Sequence, residues 1–398
     1  MKKSFLFYED DSLCFGEKSI RLADFAARAE GPVYVYHLGI AESRFREMKD
    51  ALPPAHLHYA LKANSHPQLL RRLKQAGAGA DVVSGGEIRR ALECGFAPAD
   101  IIYSGVGKTE KEITLALDVD IAQFNVESLP ELERIGEIAR RRGQVARVGF
   151  RLNPDVDINT HKYIATGLAE NKFGMELSLI PRLEEVLAKF AGSLRFQAVS
   201  LHLGSQMLDL SGLREGLRRL KPVFRELRGR HEGLNIFDAG GGLGIHYQED
   251  KIDAESALLR QYAALIREEL GDLGAELQFE PGRWIVAHAG VLLTQVQYVK
   301  ETSQRTFVIV DTGMNHLIRP ALYEAHHRIL PLRVTSKSQK VYDVVGPICE
   351  SADFLAKERG LPPVNQGDWL AIADSGAYGF SMSNTYNLQD LPREIVVG

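Results

Sequence analysis

The chain has 398 residues, 45% of them apolar and 25% charged, and its 48 basic and 52 acidic side chains leave a net charge of −4. That length is more than one small domain needs and suits two, one of them large enough for a barrel. The balanced charge, without a basic tract, excludes a nucleic-acid footprint, and no apolar run is long enough for a membrane helix. Taken in chain order, segment 1–36 carries short strand-like runs. From about residue 56, β-branched or aromatic runs alternate with longer amphipathic stretches. The predicted strands are 56–62, 79–84, 101–105, 121–128, 146–154, 196–206, 234–242 and 276–283. Between them, apolar residues recur at three and four in Pro67–Ala76, Glu87–Cys94, Leu132–Arg142, Leu179–Lys189, Leu213–Leu227 and Ala257–Leu270, the pattern of helices packed on a sheet. Eight strands with intervening helices predict a (β/α)8 TIM-type barrel, in preference to an open doubly wound sheet.

After residue 284 the pattern becomes strands joined by loops, at 290–298, 305–310, 329–334, 340–345 and 368–373. The predicted organisation is a barrel over 37–283 and a mostly β domain made of 284–398 and 1–36, the N-terminal strands completing it. Cys14, Cys94 and Cys349 are widely spaced and form no CxxC pair. An odd, sparse count argues against a disulfide framework and points to a reducing cytoplasm. The basic residues Lys2 and Lys3 are followed by Glu9, Asp10 and Asp11 before any apolar run develops. No signal peptide is expected.

Each predicted barrel strand ends in polar or glycine residues: Lys62, Ser84, Gly105, Glu127, Asn153, His202, Gly240–Gly242, and Glu280 with Arg283. Barrel enzymes place their chemistry at that end of the strands. A strand-end lysine is ordinarily a solvated surface residue. Held at a barrel mouth, Lys62 can instead lose its proton near neutral pH and form an imine. Gly240–Gly242 follow the seventh strand, where backbone N–H groups and the start of a following helix would cradle a phosphate. A tight turn alone would not need three glycines. The run lacks GxGxxG spacing, because Ile245 stands at the third glycine position. Gly107-Lys108-Thr109 imitates the end of a P-loop, but Ile102 occupies the first glycine position. Glu280 with Arg283 reads equally well as a structural salt bridge or as a functional pair. His202 by itself reads as a satisfied core histidine.

Assembled, these residues resemble the diaminopimelate decarboxylases of the alanine racemase/ornithine decarboxylase fold type III. The motifs are Tyr59-Ala60-Leu61-Lys62-Ala63-Asn64, Asp81-Val82-Val83-Ser84-Gly85-Gly86-Glu87, Glu170-Asn171-Lys172-Phe173-Gly174, His202-Leu203-Gly204-Ser205-Gln206, Gly240-Gly241-Gly242-Leu243-Gly244 and Glu280-Pro281-Gly282-Arg283. Three C-terminal motifs are more particular to this family: Ile318–Glu324, Gly346–Ser351 and Ala377-Tyr378-Gly379.

The resemblance implies a pyridoxal 5'-phosphate enzyme that decarboxylates meso-2,6-diaminopimelate to L-lysine. It implies that Lys62 carries the cofactor, His202 stacks on its ring, and Gly240, Gly241, Gly242 and Ser205 hold its phosphate. Glu280 would pair with the ring nitrogen, and Tyr378 would touch the cofactor. Arg283, Arg319, Tyr323 and Glu350 would bind substrate, and Cys349 would donate the proton that replaces CO2. It further implies a homodimer in which Cys349 and Glu350 reach the other subunit's site, and no metal. Two positions depart from the family pattern: Ser200 stands for a second histidine, and Thr385–Pro392 lacks the usual arginine-proline run.

The rival readings are the same chemistry on ornithine or arginine, an amino-acid racemase, and a catalytically dead binding protein. Arg319 with Tyr323 argues against the first, because a second carboxylate needs a cation. Glu280 argues against a racemase, in which an arginine faces the ring nitrogen. Lys62 together with Cys349 argues against a dead protein.

Overall fold

A computed structural model describes residues 4–156, 172–248, 251–334 and 338–398, so Glu170 and Asn171 of the third motif lie outside the described residues. The chain divides into two compact units, Phe45–Gly244 with Ser256–Gly282, and Met1–Arg44 with Ile245–Glu255 and Arg283–Gly398.

In the first unit all eight predicted strands are present, each shorter than the run that predicted it. They are Ala55–Ala60, Gly79–Val82, Ile101–Tyr103, Gln123–Val126, Ala146–Asn153, Leu194–Ser200, Ile236–Asp238 and Glu276–Phe279. Neighbours pair in parallel, and Glu276–Phe279 pairs with Ala55–Ala60 to close the ring. Closure removes the sheet edges and rules out the open doubly wound arrangement. Strands such as Ile101–Tyr103 and Gln123–Val126 are buried at every residue, as expected where helices cover the outside.

The helices start where the sequence supplies caps. Ser84 accepts from the Glu87 N–H, and Thr109 with Glu112 forms a capping box. Ser128 caps Leu129–Arg142, which ends at Gly143 with φ 62°. The helix Glu110–Asp118 was not among those predicted. Its cap explains the false P-loop: Lys108 is buried, and its Nζ donates to Gly105 O, Asn125 O and Glu131 Oε1, each at 2.7 Å. That lysine is structural.

The expected helix after the glycine run is absent. Residues 243–248 are non-helical, and the next helix, Ile252–Leu270, does not start from the glycine run. The glycine geometry therefore has to come from neighbouring loops.

The second unit centres on the long strand Gly290–Glu301, which pairs with Trp369–Ile372 on one side and Thr306–Val310 beyond a bulge. Val33–His37 lies antiparallel to it, with Arg393–Val397 parallel to Val33–His37. The earlier runs Leu6–Glu9, Ser12–Phe15 and Ile20–Arg21 form a separate antiparallel sheet. Strands Phe354–Leu361 and Arg393–Val397 were not predicted. Their mixed polar sequence gives no clean alternation, since Phe354–Leu361 is buried at Leu355, Ala356 and Leu361 with a mostly exposed polar stretch between. The core of this unit gathers Tyr34, Tyr36, Leu292, Val308, Leu355 and Leu370.

Candidate active site

Lys62 lies in the single 3-10 turn Leu61–Ala63 that follows the first barrel strand. Its Nζ donates to Asp81 Oδ2 at 2.6 Å. Asp81 is fully buried, whereas the lysine side chain keeps 34% of its surface accessible. The amine is therefore both paired and reachable. The other oxygen, Asp81 Oδ1, is buried without a hydrogen-bond partner among the described residues. Glu87, in the first turn of the helix Gly85–Glu93, accepts from Val83 N–H at 2.8 Å. Burial pushes its carboxyl up to about 7, although that N–H and the nearby Lys62 charge pull it down.

Glu280 directly follows the eighth strand. Its Oε1 accepts from Asn125 Nδ2 at 2.9 Å and Ser104 Oγ at 3.2 Å. Burial, then the negative charges of Asp81 and Asp238, raise its carboxyl well above the ordinary range. Asp238, closing the seventh strand, is itself raised to about 6 by burial and accepts from Gly240 N–H at 2.8 Å. Glu280 is thus pushed strongly toward its protonated form. His202 Nδ1 lies 3.7 Å from Glu280 Oε2 and accepts from Gly241 N–H at 3.2 Å. Burial, with Arg151 and Lys62 nearby, holds its imidazole well below the usual range, so the ring is neutral. A flat, uncharged ring is suited to stacking.

Gly240 (φ 67°) and Gly242 (φ 103°) adopt backbone conformations that favour glycine. A Cβ at Gly240 would meet Leu201 O at 2.3 Å, one at Gly241 would meet Glu280 O at 2.1 Å, and one at Gly242 would meet Gly204 O at 2.2 Å. All three collisions are with backbone. The missing side chains let the loops after the sixth, seventh and eighth strands touch directly, through Glu280 N–H to Gly240 O at 2.7 Å and Met207 N–H to Gly242 O at 2.9 Å. Ser205 belongs to this loop, beside Gln206 at φ 64°. Arg151 fastens it from below by donating to His202 O at 3.1 Å and pairing with Glu127 at 2.7 Å.

The second unit carries its own cluster. Arg283 Nη1 donates to Tyr247 Oη at 2.8 Å, and its guanidinium lies 4.8 Å from the Tyr378 ring centroid. Arg319 stacks 4.4 Å over the Tyr247 ring and donates to His327 Nε2 at 2.7 Å. His327 Nδ1 is thus the donor to Ala373 O at 2.8 Å. Burial and the Arg319 charge depress this imidazole to about 3, which keeps it neutral. Arg319 is buried, its Nε has no hydrogen-bond partner, and it forms no ion pair among the described residues. A buried guanidinium without an anion is costly, and an incoming carboxylate would relieve that cost. Tyr323 ends the helix that Arg319 begins.

Cys349 and Glu350 stand in an exposed loop of the same unit. Asn387 Oδ1 accepts from Cys349 N–H at 3.0 Å, and Tyr386 Oη donates to Glu350 Oε1 at 2.5 Å. Cys14 and Cys94, by contrast, are buried. Within the barrel unit the structure thus gathers Lys62, His202, Ser205, Gly240–Gly242 and Glu280. Within the other it gathers Arg283, Arg319, Tyr323 and Tyr378, and sets Cys349 with Glu350 on their own loop.

Sequence reasoning gave no role to Asp81 and Asn125, inside apolar strands, to Asp238, the last residue of one, or to Tyr247 and His327. A polar side chain in an otherwise apolar strand was the available signal for the first three. Nothing local marks the last two.

The family model for pyridoxal-dependent decarboxylases, pyridoxal binding domain, matches residues 38–287. A diaminopimelate decarboxylase of Aquifex aeolicus is 42% identical over 99% of this chain and 92% of its own length. One of Pseudomonas aeruginosa is 44% identical over 98% of this chain and 92% of its own. The crystal structure of diaminopimelate decarboxylase from Helicobacter pylori complexed with L-lysine superposes with a TM-score of 0.89 at 39% identity, covering 94% of each chain.

Proposed function

The chain belongs to the diaminopimelate decarboxylase family of pyridoxal-dependent decarboxylases, and from that we propose that it converts meso-2,6-diaminopimelate to L-lysine and CO2 with pyridoxal 5'-phosphate as cofactor. The observation that carries the substrate reading is the pair of buried guanidiniums, Arg283 and Arg319, sharing Tyr247. One cation serves an ordinary amino acid. Two suit a substrate with a carboxylate at each end.

The barrel residues fit the cofactor. Lys62 is accessible, Glu280 holds a proton, His202 is neutral and flat, and side-chain-free backbone at Gly240–Gly242 faces the loop of Ser205. When bound, pyridoxal phosphate supplies an electron sink for the pair released as CO2 leaves. Lys62, whose Nζ now donates to Asp81, would hold it. Glu280 would pair with the ring nitrogen and keep it protonated, and His202 would stack on the ring. Gly240, Gly241, Gly242 and Ser205 hold the phosphate, with Tyr378 also touching the cofactor. Arg283, Arg319, Tyr323 and Glu350 bind and orient the substrate. Cys349 donates a proton from Sγ to the carbon that lost CO2.

We assign Cys349 and Glu350 to the site of a second copy of the chain, which makes the enzyme a homodimer. Their exposed loop supports this reading. Three free thiols fit a cytoplasmic enzyme.

The test is spectroscopic. Purified protein mixed with pyridoxal phosphate should turn yellow and stay so through dialysis, while Lys62→Ala should emerge colourless and inactive. A Lys62→Ala protein that stays yellow and turns over normally would remove the assignment.

A further inference from the structure

We propose that His288 is a positioning residue for substrate binding, because it bridges Glu255 and Asp374 and so ties together Tyr247, which supports both Arg283 and Arg319, and His327, which supports Arg319. This rests on the reading that those two arginines take substrate carboxylate.

His288 is buried, with Nδ1 2.7 Å from Asp374 Oδ1 and Nε2 2.9 and 3.0 Å from the two oxygens of Glu255. Carboxylate oxygens accept, so both ring nitrogens carry hydrogen and the side chain is an imidazolium. Burial alone would lower its pKa. The two carboxylates overcome that and raise it to about 9. Beyond them stand Arg44, 2.7 Å from Glu255 and stacked 3.5 Å over Trp284, and Arg328, 3.3 Å from Asp374. The Phe5 ring, 5.6 Å away, covers the imidazole.

Each carboxylate leads to one arginine support. Glu255 Oε1 accepts from His246 N–H at 2.7 Å. The next residue is Tyr247, whose hydroxyl receives Arg283 and whose ring lies under Arg319. Asp374 follows Ala373, whose carbonyl fixes His327, which in turn receives Arg319. Without the imidazolium, two buried carboxylates would face one gap. Such a chain of charges is a poor way to gain stability, since apolar packing does as well or better. It is a good way to fix the geometry of groups that must meet a ligand.

The experiment measures KM and kcat of the holoenzyme for meso-diaminopimelate from pH 7 to 10, for wild type, His288→Asn and Arg328→Met. At pH 7, His288→Asn should raise KM by about tenfold or more with kcat little changed, as misplacement away from the reacting atoms does. Wild-type KM should climb as pH passes about 9, where the imidazolium is lost. Arg328→Met strips a cation from Asp374 and should move that climb to higher pH. Titration of the substrate amines is common to all three proteins and cannot produce the shift. A His288→Asn KM equal to wild type, or a fall in kcat at unchanged KM, would overturn the proposal. So would an identical climb in wild type and Arg328→Met, even if His288→Asn does not fold. Wild type inactive on meso-diaminopimelate would fault the functional reading instead, before any variant is compared.

Discussion

Lys62 and Asp81 form an ion pair 2.6 Å long in which the carboxylate is fully buried and the amine is reachable. Asp81 is also the first of the charges that raise Glu280, ahead of Asp238. The two facts are linked. A Lys62 that has given up its proton leaves the charge of Asp81 uncompensated, which favours the proton on Glu280. In the mechanism we propose, cofactor capture at Lys62 therefore readies Glu280 to keep the ring nitrogen protonated.

Glu280→Gln should lower kcat by roughly 10²- to 10⁴-fold, the usual worth of a positioned proton. The glutamine oxygen can still accept from Asn125 and Ser104, so the melting temperature should stay close to wild type. Steady-state rates at saturating cofactor check this, and activity within tenfold of wild type would contradict it.

Gly240→Ala should weaken cofactor retention and destabilise the barrel by about 1–3 kcal/mol, the usual range for an unfavourable φ or an overpacked core. The cause is the added Cβ, 2.3 Å from Leu201 O at a φ of 67°. Because that oxygen is backbone, no side-chain rotation relieves the contact. Thermal melting with and without pyridoxal phosphate separates the two effects.

Cys349→Ala should lower kcat by roughly 10²-fold or more if its thiol is the proton donor. Tyr386→Phe removes only the hydroxyl that holds Glu350, and on an exposed pair its effect on KM should stay under about tenfold. The contrast between a kcat effect and a KM effect in adjacent residues checks both assignments.

Protein stability should fall as pH rises from about 6.5 to beyond 9 through His288. Its folded pKa is raised, so the stabilisation is complete below the unfolded value and lost as pH passes the folded one. The raise to about 9 corresponds to roughly 3 kcal/mol at most. Melting curves at pH 6 and pH 9.5 should differ more for wild type than for His288→Asn, in which this part of the pH dependence is gone.

The barrel was legible because its strands are short apolar runs bounded by helices with sequence-encoded caps, and all eight appear where those runs placed them. Their ends were legible too, since Lys62, His202, Gly240–Gly242 and Glu280 break apolar runs at a repeating position. The polar floor was not: Asp81 and Asn125 sit inside strands and Asp238 ends one, all buried positions where periodicity assigns core. The supposed helix after Gly242 failed for a related reason, because glycine geometry was credited to a local dipole when packing against Leu201, Gly204 and Glu280 demands it. Tyr247, His327 and the chain from Arg44 to Arg328 join residues distant in sequence, and no single-sequence spacing encodes such contacts.

The most direct test of the central claim is a product assay. Purified protein with pyridoxal phosphate would be offered meso-diaminopimelate, ornithine, arginine and lysine in parallel, with CO2 and amine products followed. L-lysine and CO2 are expected from meso-diaminopimelate, and nothing from the others. Turnover of ornithine or arginine with meso-diaminopimelate untouched would contradict it, leaving Lys62 and the barrel in place but stripping Arg319 and Tyr323 of their assigned roles.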